Sequence, residues 1–177
     1  MNKKGFTLLE IIIATSIVAI IGVIISQTLS STTKSNSKVE ILKEVKQNGD
    51  FALSIMERMI RNARQITSTC SDVGTSGQSL VLTNFDGGST TLSCQWDGSI
   101  SRVASVSAAG TDFLTGTNVT LGGTDCTSAS LGFTCTSLAN APNTINIVFG
   151  LTQSRGSSAI FDQASQSFQS SVSIRNH

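Results

Sequence analysis

The sequence predicts an α+β chain: one long N-terminal helix, its first half membrane-spanning, packed on an antiparallel β-sheet head. Three observations lead there. An apolar run from Ile11 to Ile25 is interrupted only by Thr15, Ser16 and Gly22. Apolar residues then recur at helical 3-4 spacing from Leu42 to Ile66, after which the period shortens to two. Composition changes at the same place. Residues 1–66 hold nine Lys/Arg against five Asp/Glu, whereas residues 67–177 hold three Arg and six Asp, with no Lys and no Glu. The overall charge of +1 is therefore a cancellation between two unlike parts.

The N-terminal element comes first. Phe6 to Ile25 is twenty residues, which as a helix rising 1.5 Å per residue spans about 30 Å, one hydrocarbon thickness. Lys3 and Lys4 precede it and no basic residue falls within it. That asymmetry sets a short cytoplasmic N-terminus and an exported remainder. Glu10 is the misfit, since a carboxylate inside such a helix costs about 2.5–3.5 kcal/mol and is usually functional and paired. No small-x-small cleavage site follows the apolar run, so an ordinary cleaved secretory signal does not fit.

Lys3-Lys4-Gly5-Phe6-Thr7-Leu8-Leu9-Glu10 resembles the leader junction of type IV prepilins and type II secretion pseudopilins. The resemblance implies that residues 1–5 are a leader, cut after Gly5 by a membrane prepilin peptidase on the cytoplasmic side. It implies N-methylation of the new terminus, Phe6, by the same enzyme. It also gives Glu10 a role, meeting the amino terminus of Phe6 in an adjacent subunit, so that two charges offset each other's burial and set register. The implied partners are the peptidase, other pilin or pseudopilin subunits and an inner-membrane assembly platform. The implied location is a single-pass inner-membrane protein with an extracytoplasmic head, later part of a filament. One departure is plain: many major pilins carry a proline in the outer part of this helix, where Gly22 stands here and no proline occurs before Pro142.

Residues 6–28 are thus read as the transmembrane and assembly helix and 29–66 as an amphipathic stalk helix. Along the stalk, Leu42, Val45, Gly49, Ala52, Met56, Met59, Ala63 and Ile66 form an apolar seam, widened by Ile55 and Ile60. Core packing against the chain's own sheet is favoured over a coiled coil with another chain, and small Gly49 and Ala52 let a sheet approach closely. Arg58, Arg61 and Arg64 read as a solvated face. Phe51 through Arg64 resembles the helix segment of J-type minor pseudopilins, and Phe168 through Asn176 resembles the closing strand of such chains.

Residues 67–177 form the third part, a β-rich head. Thirty-seven of its 111 residues are Ser or Thr and twelve are Gly, a composition that favours short strands and turns over helices. Strands are predicted at Ser79–Phe85, Thr90–Trp96 and Ile100–Val106, joined by Asp86-Gly87-Gly88 and Asp97-Gly98 turns. Further strands are predicted at Asn118–Leu121, Leu131–Cys135, Ile145–Phe149 and Phe168–Ile174. Leu92, Cys94 and Trp96 are expected on one inward face. Cys70, Cys94, Cys126 and Cys135 are an even set with no neighbouring histidine, which reads as two disulfides in an oxidising compartment. Of the three connectivities, Cys70–Cys94 with Cys126–Cys135 is preferred because both pairs are local.

These residues point away from catalysis. A serine nucleophile needs a base, yet no Lys follows Lys46 and the single histidine is the last residue, His177. The six head aspartates, at 72, 86, 97, 112, 125 and 162, are scattered, and turn chemistry accounts for the two that precede glycine. No phosphate loop, zinc ligand set or calcium loop is present, so no cofactor or metal is expected. Nucleic acid is a poor partner for a head this short of positive charge. Asn118-Val119-Thr120 fits a glycosylation sequon. The reading is a minor pilin or pseudopilin subunit, with a surface adhesin, a DNA-capture pilin or a major pilin as alternatives.

Overall fold

A computed structural model describes residues 5–68, 74–123, 125–137, 142–154 and 164–174. The fold is α+β, one long helix and two antiparallel sheets. The chain divides into two units, Met1–Val39 and Glu40–His177.

Helix α1 runs from Leu8 to Arg61, 54 residues. In the first unit every described side chain is exposed, including the apolar residues from Phe6 to Ile25. The helix continues through the Ser/Thr-rich stretch 28–33 because its hydroxyls bond back to the preceding turn. Thr28 Oγ1 donates to Ile24 O at 2.9 Å, Thr32 to Thr28 O at 2.9 Å and Thr33 to Leu29 O at 3.0 Å.

In the second unit α1 buries Val45, Gly49, Ala52, Met56 and Ile60. The predicted seam is therefore the core face, with Ile60 fully buried and one correction of detail: Leu42 is 41% exposed and Ile41 packs against the core in its place. The helix also stops before the predicted end at residue 66. Asn62 N still reaches Arg58 O, but Ala63 N bonds to Ile60 O in a tighter turn. Gln65–Ile66 then pair with Thr83 and Leu82 as strand β1, the extended form that β-branched Ile66 and Thr67 favour.

The first sheet has the order β1-β3-β4-β5-β6, with β3 at Ser79–Thr83, β4 at Ser89–Trp96, β5 at Ser101–Ser107 and β6 at Gly110–Phe113. Both Asp-Gly turns close hairpins: Asp86 Oδ1 accepts from Gly88 N at 2.8 Å, and Asp97 Oδ1 from Ser99 N and Ile100 N at 3.0 Å each. Gly87 and Gly98 take φ of 83° and 97°, the left-handed region that excludes most side chains. Strand β6 and the three-residue β2 at Thr75–Gly77 went unpredicted; neither has an alternating apolar pattern to announce it.

The second sheet has the order β10-β9-β8-β2, with β8 at Gly132–Thr136, β9 at Thr144–Gln153 and β10 at Ser165–Ser173. Short β7, Val119–Thr120, joins β9. Inward residues Phe133, Cys135, Ile145, Ile147, Phe149, Leu151, Phe168 and Val172 meet the α1 seam and Leu80, Leu82, Leu92 and Val103 of the first sheet in one core. Trp96 departs from its predicted inward position. It sits at the turn end of β4, opposite Ser101, beyond the reach of the core, and is 44% exposed.

Candidate functional site

The site singled out by the sequence lies at the start of α1. Gly5 has open space around its Cα and does not adopt positive φ, so neither crowding nor turn geometry within the chain calls for glycine there. Phe6 is 80% exposed. Thr7 caps the helix: Glu10 N donates to Thr7 O at 3.1 Å and to Thr7 Oγ1 at 3.3 Å. Thr7-Leu8-Leu9-Glu10 thereby follows the S/T-x-x-E capping pattern, with Glu10 at the third helical position. Its carboxylate stands in the first turn, where the helix dipole favours negative charge. Sequence reasoning missed this cap, although the four-residue spacing carried the signal.

Beyond this turn the helix is dressed for an apolar medium. Thr15 Oγ1 donates to Ile11 O and Ile12 O, at 2.9 and 3.1 Å, and Ser16 Oγ to Ile13 O at 2.8 Å. These hydroxyls satisfy themselves within the helix, as polar groups must where water is absent. By length and composition α1 is able to cross a membrane. Glu10 is the only ionisable residue between Gly5 and Lys34.

In the second unit the polar residues of α1 fasten it to the head. Gly116 N donates to Asn48 Oδ1 at 2.8 Å. Asn118 Nδ2 donates to Glu44 Oε1, and Ser170 Oγ to Glu57 Oε1. The sequon asparagine is thus half-buried and engaged by the helix, a poor position for an attached glycan. Glu57 Oε2 also pairs with Arg61 at 3.3 Å. A second polar node lies nearby. Arg102 pairs with Asp97 at 3.3 Å, donates to Thr115 O and covers the Phe113 ring at 4.2 Å. Asp97 has a lowered pKa, held down first by the Ile100 N–H, against the opposing effect of burial, and then by the Ser99 N–H and Arg102. Asp125 is lowered in the same way by the Thr127 hydroxyl and N–H.

The cysteines differ from the preferred pairing. Cys94 bonds to Cys126, 32 residues on, which overturns both Cys70–Cys94 and Cys126–Cys135. Cys94 points inward from β4 as predicted, and the 3-10 turn Cys126–Ser128, capped by Asp125, carries its partner to that face. Local pairing fails because Cys126 is taken by Cys94, while Cys135 lies buried in the core on β8. Cys135 is itself in a disulfide. Cys70, Asp72, Asp162 and His177 lie outside the described residues. Among the described residues no group of three or more His, Cys, Asp or Glu is placed to hold a metal.

Comparison with known families gives one match: residues 1–26 fit the family described as the prokaryotic N-terminal methylation motif. No curated protein and no solved structure matches the chain significantly. The match covers Gly5 and Phe6, the capped turn with Glu10 and the apolar half of α1, and leaves the head unassigned.

Proposed function

We propose that this chain, whose residues 1–26 fit the prokaryotic N-terminal methylation motif, is a type IV prepilin or pseudopilin and serves as a minor subunit of a type IV pilus or type II secretion-like filament. It is a structural part rather than an enzyme. Prepilin peptidase cuts after Gly5 and methylates Phe6; the apolar half of α1 then anchors the subunit in the inner membrane with its head outside. An assembly platform adds it to a filament through that same helix.

The observation that carries this reading is a lone carboxylate on an otherwise self-sufficient apolar helix. Glu10 stands alone in an apolar surface whose hydroxyls are already bonded. An isolated charge there is stabilised by a charged partner from another chain, and the methylated amine of Phe6 supplies one. Low abundance in sheared filaments is the mark of a minor subunit.

The capping position of Glu10 makes the test sharper. Gln serves a capping box as well as Glu does, so Glu10→Gln keeps the cap and removes only the charge. The proposal expects both Glu10→Gln and Glu10→Ala to be processed by the peptidase and to stay out of filaments. Normal incorporation of Glu10→Gln would show that the residue works as a cap, and would overturn the pairing.

A further inference from the structure

Among the described residues, the last strand leaves one edge of its sheet open. Gln153 N donates to Ala164 O and Ile174 N to Asn143 O, both at 3.2 Å, and between them Phe168 is in register with Phe149. These bonds fix the phase of the ladder: the even-numbered residues of β10 turn their backbone groups to β9. The N–H and C=O groups of Ser165, Ser167, Gln169, Ser171 and Ser173 point outward. Among the described residues only Ser167 O of these groups has a partner, the Gln166 side-chain amide at 3.2 Å.

Folded proteins blunt such edges with brevity, charge or proline. The other sheet ends here do so: β1 has two residues, β2 three, and β6 four including Asp112. Strand β10 has nine residues with neither charge nor proline, an edge of about 30 Å. The five residues that offer it their backbone groups read Ser-Ser-Gln-Ser-Ser, identical in both directions, and all are exposed.

We infer that β10 is a self-association edge that pairs antiparallel with β10 of a second copy, about a two-fold axis through Gln169. Ser165 then meets Ser173, Ser167 meets Ser171, and Gln169 meets its own copy. Every outward N–H and C=O of the strand is satisfied, giving about ten hydrogen bonds, because all five are hydrogen-bonding positions of an antiparallel pair. The palindrome selects a second copy over an unrelated strand, since each side chain finds its equal opposite. Phe168 lies over Gly49 and Ser170 bonds Glu57, so β10 and this part of α1 advance in the same sense. A two-fold pair reverses that sense between the copies. The pairing itself does not depend on the filament reading.

The test uses the full chain in detergent micelles. In an antiparallel hydrogen-bonded pair the two Cα atoms at position 169 stand about 5.5 Å apart, within disulfide range. Under mild oxidation Gln169→Cys should form covalent dimers at least about tenfold faster than Val148→Cys, the exposed register partner of Gln169 one strand behind it on β9, which the pairing leaves out of disulfide reach of its own copy. Mixed Ser165→Cys and Ser173→Cys chains should link to each other and not to themselves. Gln169→Lys should lose the dimer, and an equimolar mixture with Gln169→Glu should restore it. Equal rates at 169 and 148, self-linking of Ser165→Cys, or an undiminished Gln169→Lys dimer would each overturn the proposal.

Discussion

Phe168 stands end-on over Gly49: a Cβ at residue 49 would lie 2.0, 2.2 and 2.4 Å from three atoms of the ring. The ring has nowhere to swing, because it stacks on Phe149 with centroids 5.1 Å apart and is itself buried. Helix and sheet meet at this point because one side supplies no side chain and the other supplies an aromatic.

Gly49→Ala should therefore destabilise the head even though alanine is the better helix former by about 1 kcal/mol. Overpacking a core contact costs about 1–3 kcal/mol, and a Cβ only 2.0 Å from an atom of a stacked ring falls at the upper end. The net loss lowers Tm by a few degrees, at roughly 2–4 °C per kcal/mol for a chain of this size. Gly22→Ala, where nothing lies within 4 Å, should leave Tm unchanged or raise it. Thermal melts of the two variants side by side are the check.

Cleaving the bond between Cys94 and Cys126 releases a loop of 32 residues. Cys94→Ser with Cys126→Ser should cost about 2–4 kcal/mol in denaturant unfolding. Non-reducing peptide mapping should recover Cys94 and Cys126 in one linked species. Recovery of Cys126 linked to Cys135 would contradict the assignment.

The Asn118 amide and the Glu44 carboxylate hold the loop between β6 and β7 to the helix. Asn118→Ala removes the donor and should cost about 1 kcal/mol. Asn118→Asp should cost more, because two carboxylates then face each other. Hydrogen exchange should rise in both variants at residues 41–49. A glycosylated Asn118 in the purified protein would contradict this bonding.

Acid should weaken the head through Asp97 and Asp125. Both carboxyls titrate below their ordinary value of 3.8 in the folded protein. Their contribution is complete above about pH 4 and is lost as pH falls through the lower folded values. Asp97→Asn should flatten the acid limb of a stability-versus-pH curve between about pH 2 and 4. It should leave the slope near neutrality unchanged.

Most of the architecture was legible where burial imposes a period. The seam Val45, Ala52, Met56 and the alternation Ile145, Ile147, Phe149 both mark faces that meet one core. What stayed hidden had no such period. Strand β6, Gly110–Phe113, is exposed throughout, so its pairing with β5 leaves no apolar signature. The Cys94–Cys126 bond depends on how a 3-10 turn folds back onto β4, a long-range contact that spacing does not encode. At the N-terminus the motif was readable in full, but the capping bond from the Glu10 backbone N–H to the Thr7 hydroxyl was not. Leu42 and Trp96 erred for one reason: Leu42 precedes the first buried residue of α1, Val45, and Trp96 ends β4, so in both places periodicity outruns the core.

The most direct test is mass analysis of the N-terminal peptide of the protein purified from cells with an active prepilin peptidase. The account predicts a chain that begins at Phe6, with residues 1–5 absent and one methyl group on the amino terminus. An intact Met1, or a terminus near residue 30 left by an ordinary signal peptidase, would contradict it.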